Sequence, residues 1–91
     1  MPKLPDKWYV YMLCCSDNSY YTGITKDLSR RLQQHNDGQD GAKYTRSRRP
    51  VTLVYQEQLA DHSAALKREM EIKRLKAQAK RALAAGKQTG Y

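Results

Sequence analysis

An aromatic run near the start of the chain constrains the fold more than any other feature. Trp8 to Cys14 reads WYVYMLC, which is rich in aromatic and β-branched side chains and apolar throughout. Such a run predicts a strand that is covered on both faces, since a half-exposed strand alternates apolar and polar residues. A turn cluster, Ser16 to Ser19, comes next, and Tyr20 to Ile24 predicts a second short strand. Together these segments predict a β-hairpin.

The rest of the chain predicts helices around one more strand. Asp27 can cap a first helix that ends at Asn36-Asp37-Gly38, residues 39–50 predict a loop, and Val51 to Tyr55 predicts a third strand. Asp61 or Ser63 can cap the next helix, and a last helix runs from about Ala77 to Ala85 and stops at Gly86. The apolar stripe of the first helix would comprise Leu28 and Leu32, and that of the next Ala65, Leu66, Met70, Ile72 and Leu75.

The order β-β-α-β-α-α predicts an α+β domain with a short three-stranded antiparallel sheet flanked by helices. We expect a single domain over residues 8–85, with tails at 1–7 and 86–91, because the chain has only 91 residues.

Charge and cysteine usage narrow the class of protein. The formal net charge of +8 fits nucleic acid, an anionic membrane surface or an acidic protein as partner. Cys14 and Cys15 are adjacent and are the two cysteines of the chain, so no disulfide framework is expected and the cytoplasm is the expected compartment. No stretch approaches the ~18 apolar residues of a membrane span, so no membrane association is expected.

Three polar residues interrupt the helical stripes. Arg31 and His35 lie on the face of Leu28 and Leu32, and Glu69 lies between Leu66 and Ile72. Each has an ordinary structural explanation: Glu69 can pair with Lys73 at the surface, Arg31 can snorkel along the core edge, and His35 can be a cap or a satisfied surface group. Tyrosines such as Tyr11 and Tyr21 also suit a sheet for packing reasons alone.

Taken together, these residues are the parts of a metal-dependent phosphodiesterase. That chemistry needs a carboxylate for the ion, a positive group for the transition-state charge and a proton acceptor for water.

The two tyrosine segments resemble the paired signature of the GIY-YIG nucleases. Tyr9-Val10-Tyr11 and Tyr21-Thr22-Gly23 would be its two halves, with Tyr9 where Gly is often found and Val10 and Thr22 in place of Ile. Arg31 matches the family's catalytic Arg, His35 matches a position often held by His or Tyr, and Ala65 to Glu69 resembles the segment with its metal-binding Glu. The resemblance covers about Trp8 to Leu75 and points to the small stand-alone bacterial proteins of the family. Ile24 is a departure from the excision-repair nuclease subunit of the family, which carries a Lys directly after the glycine of the second motif. In this chain Lys26 can reach the same space.

The resemblance implies an endonuclease that acts on nucleic acid, DNA rather than RNA, in DNA repair or processing. Glu69 would hold one Mg²⁺ or Mn²⁺, with water and phosphate oxygen completing its shell. Arg31 would stabilise the added negative charge. Tyr11 would take the proton of the attacking water and Tyr21 would orient it, or the two would exchange roles. His35 would position Tyr11 or the phosphate, or would itself be the base.

Basic residues are expected to supply the nucleic-acid contacts, around a tyrosine that can stack on a base. The candidates are Lys26, Lys43, Tyr44, Arg46, Arg48, Arg49, Lys73, Lys76 and Lys80. The alternatives are a solvated loop, a non-catalytic nucleic-acid-binding module with a degenerate site, and an interaction protein that docks on an acidic partner. No obligate protein partner is evident from the sequence.

Strand parity gives a geometric prediction for the hairpin. Side chains alternate along a strand, and directly opposed residues of an antiparallel pair share a face. Tyr11 and Tyr21 therefore share a face only if the connection has an odd number of residues or the hairpin contains a bulge. A connection of Ser16 to Asn18 would place Gly23 opposite Tyr11, with open space above Gly23 for water or phosphate. Asn18 suits the left-handed position of such a loop.

Overall fold

The computed structural model describes residues 7–37 and 43–86. Its strands are β1 (Trp8–Cys14), β2 (Tyr20–Thr25) and β3 (Thr52–Leu59), and its helices are α1 (Leu28–Asp37), α2 (Lys43–Arg46), α3 (His62–Lys73) and α4 (Ala77–Ala84). Most of the expected tails at 1–7 and 86–91 (residues 1–6 and 87–91), the helix stop at Gly38 and the first residues of the expected loop lie outside the described residues. The predicted domain boundaries stay predictions.

One antiparallel sheet with the strand order β2-β1-β3 organises the fold. The α+β prediction, with a three-stranded antiparallel sheet and flanking helices, is confirmed. Because β1 is the central strand and helices cover both faces of the sheet, its side chains are buried in both directions. Val10, Met12 and Leu13 have no exposed surface, and full burial of each such side chain contributes about 1.5–3 kcal/mol of transfer free energy. This explains the unbroken apolar run of β1.

Each face of the sheet has its own core. On one face, which we call the tyrosine face because it carries Tyr11 and Tyr21, the side chains pack with Leu28 and Leu32 of α1. On the other face, Val10 and Met12 of β1 pack with Ile72 of α3 and with α4. Helix α1 is thus the element that brings polar side chains to the tyrosine face.

The hairpin connection has the predicted odd length. The amide of Cys15 donates to the carbonyl of Ser19 at 2.8 Å, which leaves three residues between them. Asn18 occupies the left-handed region with φ of 67°, a conformation that Asn tolerates better than most residues. Tyr11 is paired with Gly23, so both tyrosines project from one face and the parity prediction is confirmed.

Local capping accounts for the helix starts. The Asp27 carboxylate accepts from the Arg30 amide at 3.1 Å at the start of α1. The Asp61 carboxylate accepts from the Ala64 amide at 2.8 Å at the start of α3, so Asp61 rather than Ser63 is the cap. Each bond satisfies a backbone donor that the first turn of a helix leaves without an intrahelical partner.

Three expectations about the secondary-structure elements and their burial are wrong. Strand β3 continues to Leu59 instead of ending at Tyr55, because it pairs with β1 as far as Trp8. The predicted loop contains the short helix α2. Leu66 and Met70 are 39% and 51% exposed instead of joining the core, because α3 buries only Ala65 and Ile72 completely.

Candidate active site

The ring of Tyr11 lies across its hairpin partner, Gly23. A Cβ atom at Gly23 would lie 2.5 Å from the Tyr11 hydroxyl oxygen and 2.8 Å from the ring carbon that carries it. No side chain fits there, so glycine is required for the position of the tyrosine. The expected open space above Gly23 is therefore wrong: the Tyr11 hydroxyl itself fills it.

Helix α1 holds the Tyr11 hydroxyl through a buried histidine. The hydroxyl lies 2.8 Å from Nε2 of His35, and the other ring nitrogen, Nδ1, lies 2.8 Å from the Thr45 hydroxyl. His35 has no exposed surface, and Thr45 is equally buried. Since both ring nitrogens are bonded, the ring orientation is set by β1 on one side and by α2 on the other. Thr45 was not among the predicted site residues, because the partner of a buried ring nitrogen depends on how α1 and α2 pack together.

Burial controls the protonation of this pair. Burial, with Arg31 and Arg49 nearby, lowers the pKa of His35 to about 4. Burial raises the pKa of Tyr11, and the adjacent Arg31 guanidinium opposes that rise. At neutral pH the histidine is therefore neutral and the tyrosine protonated. The Tyr11 hydroxyl accepts from Nε of Arg31 and has its own hydrogen to donate to Nε2 of His35. We infer from this the tautomer in which Nδ1 is protonated and donates to Thr45.

Arg31 and Tyr21 complete the cluster on the tyrosine face. Nε of Arg31 donates to the Tyr11 hydroxyl at 3.4 Å, and its Nη1 donates to the Gln34 side chain at 3.0 Å. The Tyr21 ring lies 6.5 Å from the Tyr11 ring and 5.1 Å from the His35 ring between centroids. Four of the five residues proposed as catalytic are thus brought together.

The fifth candidate, Glu69, approaches from α3. Its side chain is only 16% exposed, and it forms an ion pair of 3.4 Å with Lys73, one turn further along the helix. The expected surface pairing therefore exists, but the carboxylate is much more enclosed than the lysine, which is 54% exposed. The Glu69 charge also contributes to the raised pKa of Tyr11, after burial and Tyr21, which places the carboxylate within electrostatic reach of the hydroxyl.

The end of α1 is tied to the segment before β3. Arg49 donates from Nε to the carbonyl of His35 at 2.5 Å and from Nη2 to the carbonyl of Gln34 at 3.2 Å. Asn36 donates to the carbonyl of Val51 at 3.0 Å and accepts from its amide at 2.8 Å. The Arg49 bonds satisfy helix carbonyls that would otherwise be unpaired. Arg49, proposed for nucleic acid, thus also anchors α1. Asn36 was not among the predicted site residues.

The proposed nucleic-acid contacts fall into separate groups. Tyr44 stacks on Tyr21 at 5.9 Å, and the Arg48 guanidinium lies 4.0 Å above the Tyr44 ring. Arg48 also pairs with Asp17 of the hairpin turn at 3.0 Å. The ring of Tyr44 on which a base was expected to stack is therefore already in contact with a cation. The exposed residues Lys43 and Arg46 belong to α2.

The remaining basic candidates lie on other elements. Lys26 lies above the Trp8 ring, with Nζ 5.3 Å from its centroid, while Ile24 packs into the core of the opposite face. Lys76 immediately precedes α4, and Lys80 lies within it.

A scan against known families finds a match to the GIY-YIG catalytic domain over residues 7–82. The chain belongs to the GIY-YIG family. This is a nuclease family, so nucleic acid is the substrate class that the match indicates.

Relatives that share much of the sequence carry the name UPF0213 protein. The chain is 56% identical over 75 residues to UPF0213 protein SSP2268 of Staphylococcus saprophyticus, covering 82% of this chain and 90% of that one. It is 49% identical over 84 residues to UPF0213 protein DP2720 of Desulfotalea psychrophila, covering 92% of this chain and 76% of that one.

Two solution NMR structures share the fold. UPF0213 protein BH0048 of Bacillus halodurans has a TM-score of 0.56 at 40% identity, covering 93% of this chain and 89% of that one. EF2693 of E. faecalis has a TM-score of 0.60 at 34% identity, covering 93% and 91%. Within residues 7–37 and 43–86, no helix has the length and apolar character that a membrane crossing requires.

Proposed function

We propose that this GIY-YIG protein is a metal-dependent endonuclease in which Tyr11 accepts the proton of the attacking water. The observation that carries the proposal is the position of the Tyr11 hydroxyl, held above Gly23 between Nε2 of His35 at 2.8 Å and Nε of Arg31 at 3.4 Å. A phenol, a neutral imidazole and a guanidinium in direct contact provide a proton path next to a positive group.

The protonation states favour a relay over a free phenolate. Ionising a tyrosine with an ordinary pKa of ~10 costs about 4 kcal/mol at pH 7, and burial makes that cost larger for Tyr11. In the relay, an O–H bond of water breaks as Tyr11 takes that proton, while Tyr11 passes its own proton to His35. The resulting hydroxide attacks phosphorus, and the bond from phosphorus to the leaving oxygen breaks with its electron pair on that oxygen, which takes a proton from solvent water. His35 then returns its extra proton to solvent through Tyr11.

In this relay His35 is a positioning residue and the final proton acceptor of the pair, because it has no exposed surface with which to contact water. Its low pKa makes it a weak acceptor in the resting protein. Burial is the main cause of this low pKa, and the Arg31 and Arg49 charges add to it. The negative charge of a phosphate bound next to Arg31 offsets part of the guanidinium contribution, so proton transfer becomes easier when substrate is present.

Arg31 would stabilise the negative charge that develops on the phosphate. Its Nε contacts Tyr11 and its Nη1 contacts Gln34, so the guanidinium is held in place before substrate binds. A preorganised donor of this kind contributes about 10²–10³ in rate. Tyr21, packed against His35, would orient the water.

Glu69 would be the one protein carboxylate that holds a single divalent ion. Among the described residues no group of three His, Cys, Asp or Glu side chains could enclose a metal, and Mg²⁺ commonly binds through one or two carboxylates while keeping waters. Mg²⁺ or Mn²⁺ at Glu69 would polarise the scissile phosphate. We propose DNA rather than RNA as the substrate and the cytoplasm as the compartment.

A second function, a non-catalytic nucleic-acid-binding module, is favoured by one contact. Nζ of Lys73 lies 3.4 Å from Oε2 of Glu69, so a cation already occupies the neighbourhood of the carboxylate. If that pair persists in the presence of metal, the site binds nucleic acid but does not cut it.

The test is cleavage of single-stranded, duplex and branched DNA and of RNA, with Mg²⁺, Mn²⁺ or a chelator. We expect metal-dependent cleavage by the wild type and none by Glu69→Gln. Glu71→Gln is the matched control, because Glu71 is exposed and pairs with Arg68 instead. Arg31→Ala should lower the cleavage rate by about 10²-fold or more. Unchanged activity of Glu69→Gln at low metal would refute the proposal, and binding without cleavage by the wild type would establish the second function.

A further inference from the structure

A second concave site lies beside the catalytic cluster, between the hairpin turn and α4. This groove has a volume of about 620 Å³, within the range of about 300–1,000 Å³ that is usual for small-ligand sites. We call it the α4 groove; the side chains that matter here are Cys14, Asn18, Tyr20, Tyr44, Lys80 and Arg81. Nothing in the proposed chemistry uses it.

One wall of the α4 groove is cationic. Lys80 and Arg81 line it, and neither has an acidic partner within residues 7–37 and 43–86. Other basic residues have an acidic partner: Arg48 pairs with Asp17, and Arg68 pairs with Glu57 at 2.9 Å. No acidic side chain lines the groove. Two unpaired cations in a concavity attract an anion such as a phosphate.

The other wall is aromatic. Tyr20 and Tyr44 line it, each with an apolar ring and a hydroxyl that can bond a polar group. Tyr44 in turn stacks on Tyr21 at 5.9 Å, and Tyr21 lies 6.5 Å from Tyr11. The groove is thus two ring contacts away from the Tyr11 hydroxyl. A nucleic-acid strand whose scissile phosphate lies at Tyr11 would reach the groove within a few nucleotides.

We infer that the α4 groove binds one unpaired nucleotide of the strand being cut, with its phosphate at Lys80 and Arg81 and its base against the Tyr20 ring. Tyr44 would contribute its ring edge and hydroxyl, because Tyr21 and Arg48 already contact its ring faces. This inference rests on the proposed function, since it names the part of the nucleic acid that the same surface recognises. Aromatic contacts need a base that is free of its neighbours, and a base inside a duplex is paired and stacked on both sides. An unpaired or terminal nucleotide satisfies that condition.

The test measures binding in a chelator, so that no cleavage occurs. The affinity of the protein is measured for fluorescently labelled duplexes of identical sequence that end bluntly, in a short 3′ overhang or in a short 5′ overhang. We expect the wild type to bind one overhang at least about five-fold more tightly than the blunt duplex, the lower end of the effect of one aromatic–base contact.

Variants locate the contact. Lys80→Ala/Arg81→Ala should lose this preference and lower the slope of log affinity against log salt by one to two phosphate equivalents. Asn18→Asp should also weaken the overhang complex, because it adds a negative charge to the groove while tolerating the left-handed backbone. Lys67→Ala/Arg74→Ala is the matched control: it removes two exposed charges outside the groove and should keep the preference.

The outcomes separate this inference from the proposed function. Equal binding of blunt and overhanging duplexes by the wild type overturns the inference, even if metal-dependent cleavage is found. A preference that survives in Lys80→Ala/Arg81→Ala also overturns it. A preference that is lost in that variant, in a protein that cuts no nucleic acid, supports the groove and refutes the nuclease.

Discussion

Acidification should destabilise this protein through His35 at a pH where most proteins are close to their maximum stability. The imidazole is fully buried between β1 and α2, and two cations, Arg31 and Arg49, are close enough to depress its pKa. Tyr11 and Thr45 occupy its two nitrogens, and no carboxylate among the described residues is bonded to it. The folded protein therefore resists protonation of this ring.

The size of the effect follows from the two pKa values. The pKa is about 4 in the folded protein against 6.5 for an unperturbed histidine. Between these values the unfolded chain binds a proton that the folded chain does not, so the free energy of unfolding falls as pH falls. The stabilisation from the neutral, buried His35 is complete above about pH 6.5 and is lost as the pH falls to about 4. From pH 7 to pH 5 the loss is about 2 kcal/mol, a large part of the stability of a domain this small.

Chemical denaturation at a series of pH values measures this loss. The lowered pKa values of Asp17 and Glu57 put their titrations below this window, so the slope between pH 7 and pH 5 reports mainly on histidine. His35→Gln should be less stable than the wild type at pH 7, but its free energy of unfolding should change little between pH 7 and pH 5. His62→Gln, which changes an exposed ring that contacts Trp8, should keep the wild-type slope. A flat wild-type profile, or an equal slope in His35→Gln, would refute the reasoning.

Three further predictions concern Tyr11 and the basic α2 region. Gly23→Ala should cost about 1–3 kcal/mol of stability and abolish cleavage, because the new Cβ would lie 2.5 Å from the Tyr11 hydroxyl; a fully active, equally stable variant in melting and cleavage assays would contradict this. Tyr11→Phe should abolish cleavage and lower stability by about 1–3 kcal/mol, because it leaves the buried Nε2 of His35 without its partner; retained cleavage would assign the proton transfer elsewhere. Arg46→Ala/Arg48→Ala should weaken DNA binding and lower its salt slope by one to two phosphate equivalents, and an unchanged slope would move the contact surface to α4.

Local and periodic features of this protein could be predicted from its sequence. The alternation of side chains along β1 and β2, together with the odd hairpin connection, places Tyr11 and Tyr21 on one face without knowledge of any distant contact. The caps at Asp27 and Asp61 are equally local, because each accepts from an amide three residues ahead. The spacing of Arg31 and His35 correctly put both on the helix face that meets the sheet.

Only the tertiary structure decided how those residues meet. Tyr11 fills the space above Gly23 because α1 packs over the hairpin and presents His35 and Arg31 to its hydroxyl. Whether Leu66 is buried likewise depends on which side of α3 meets the sheet, and its helical spacing alone gave the wrong answer. Hydrophobic periodicity identifies a face of a helix, but the depth of burial and the partner of each polar atom are set by contacts between residues far apart in the chain.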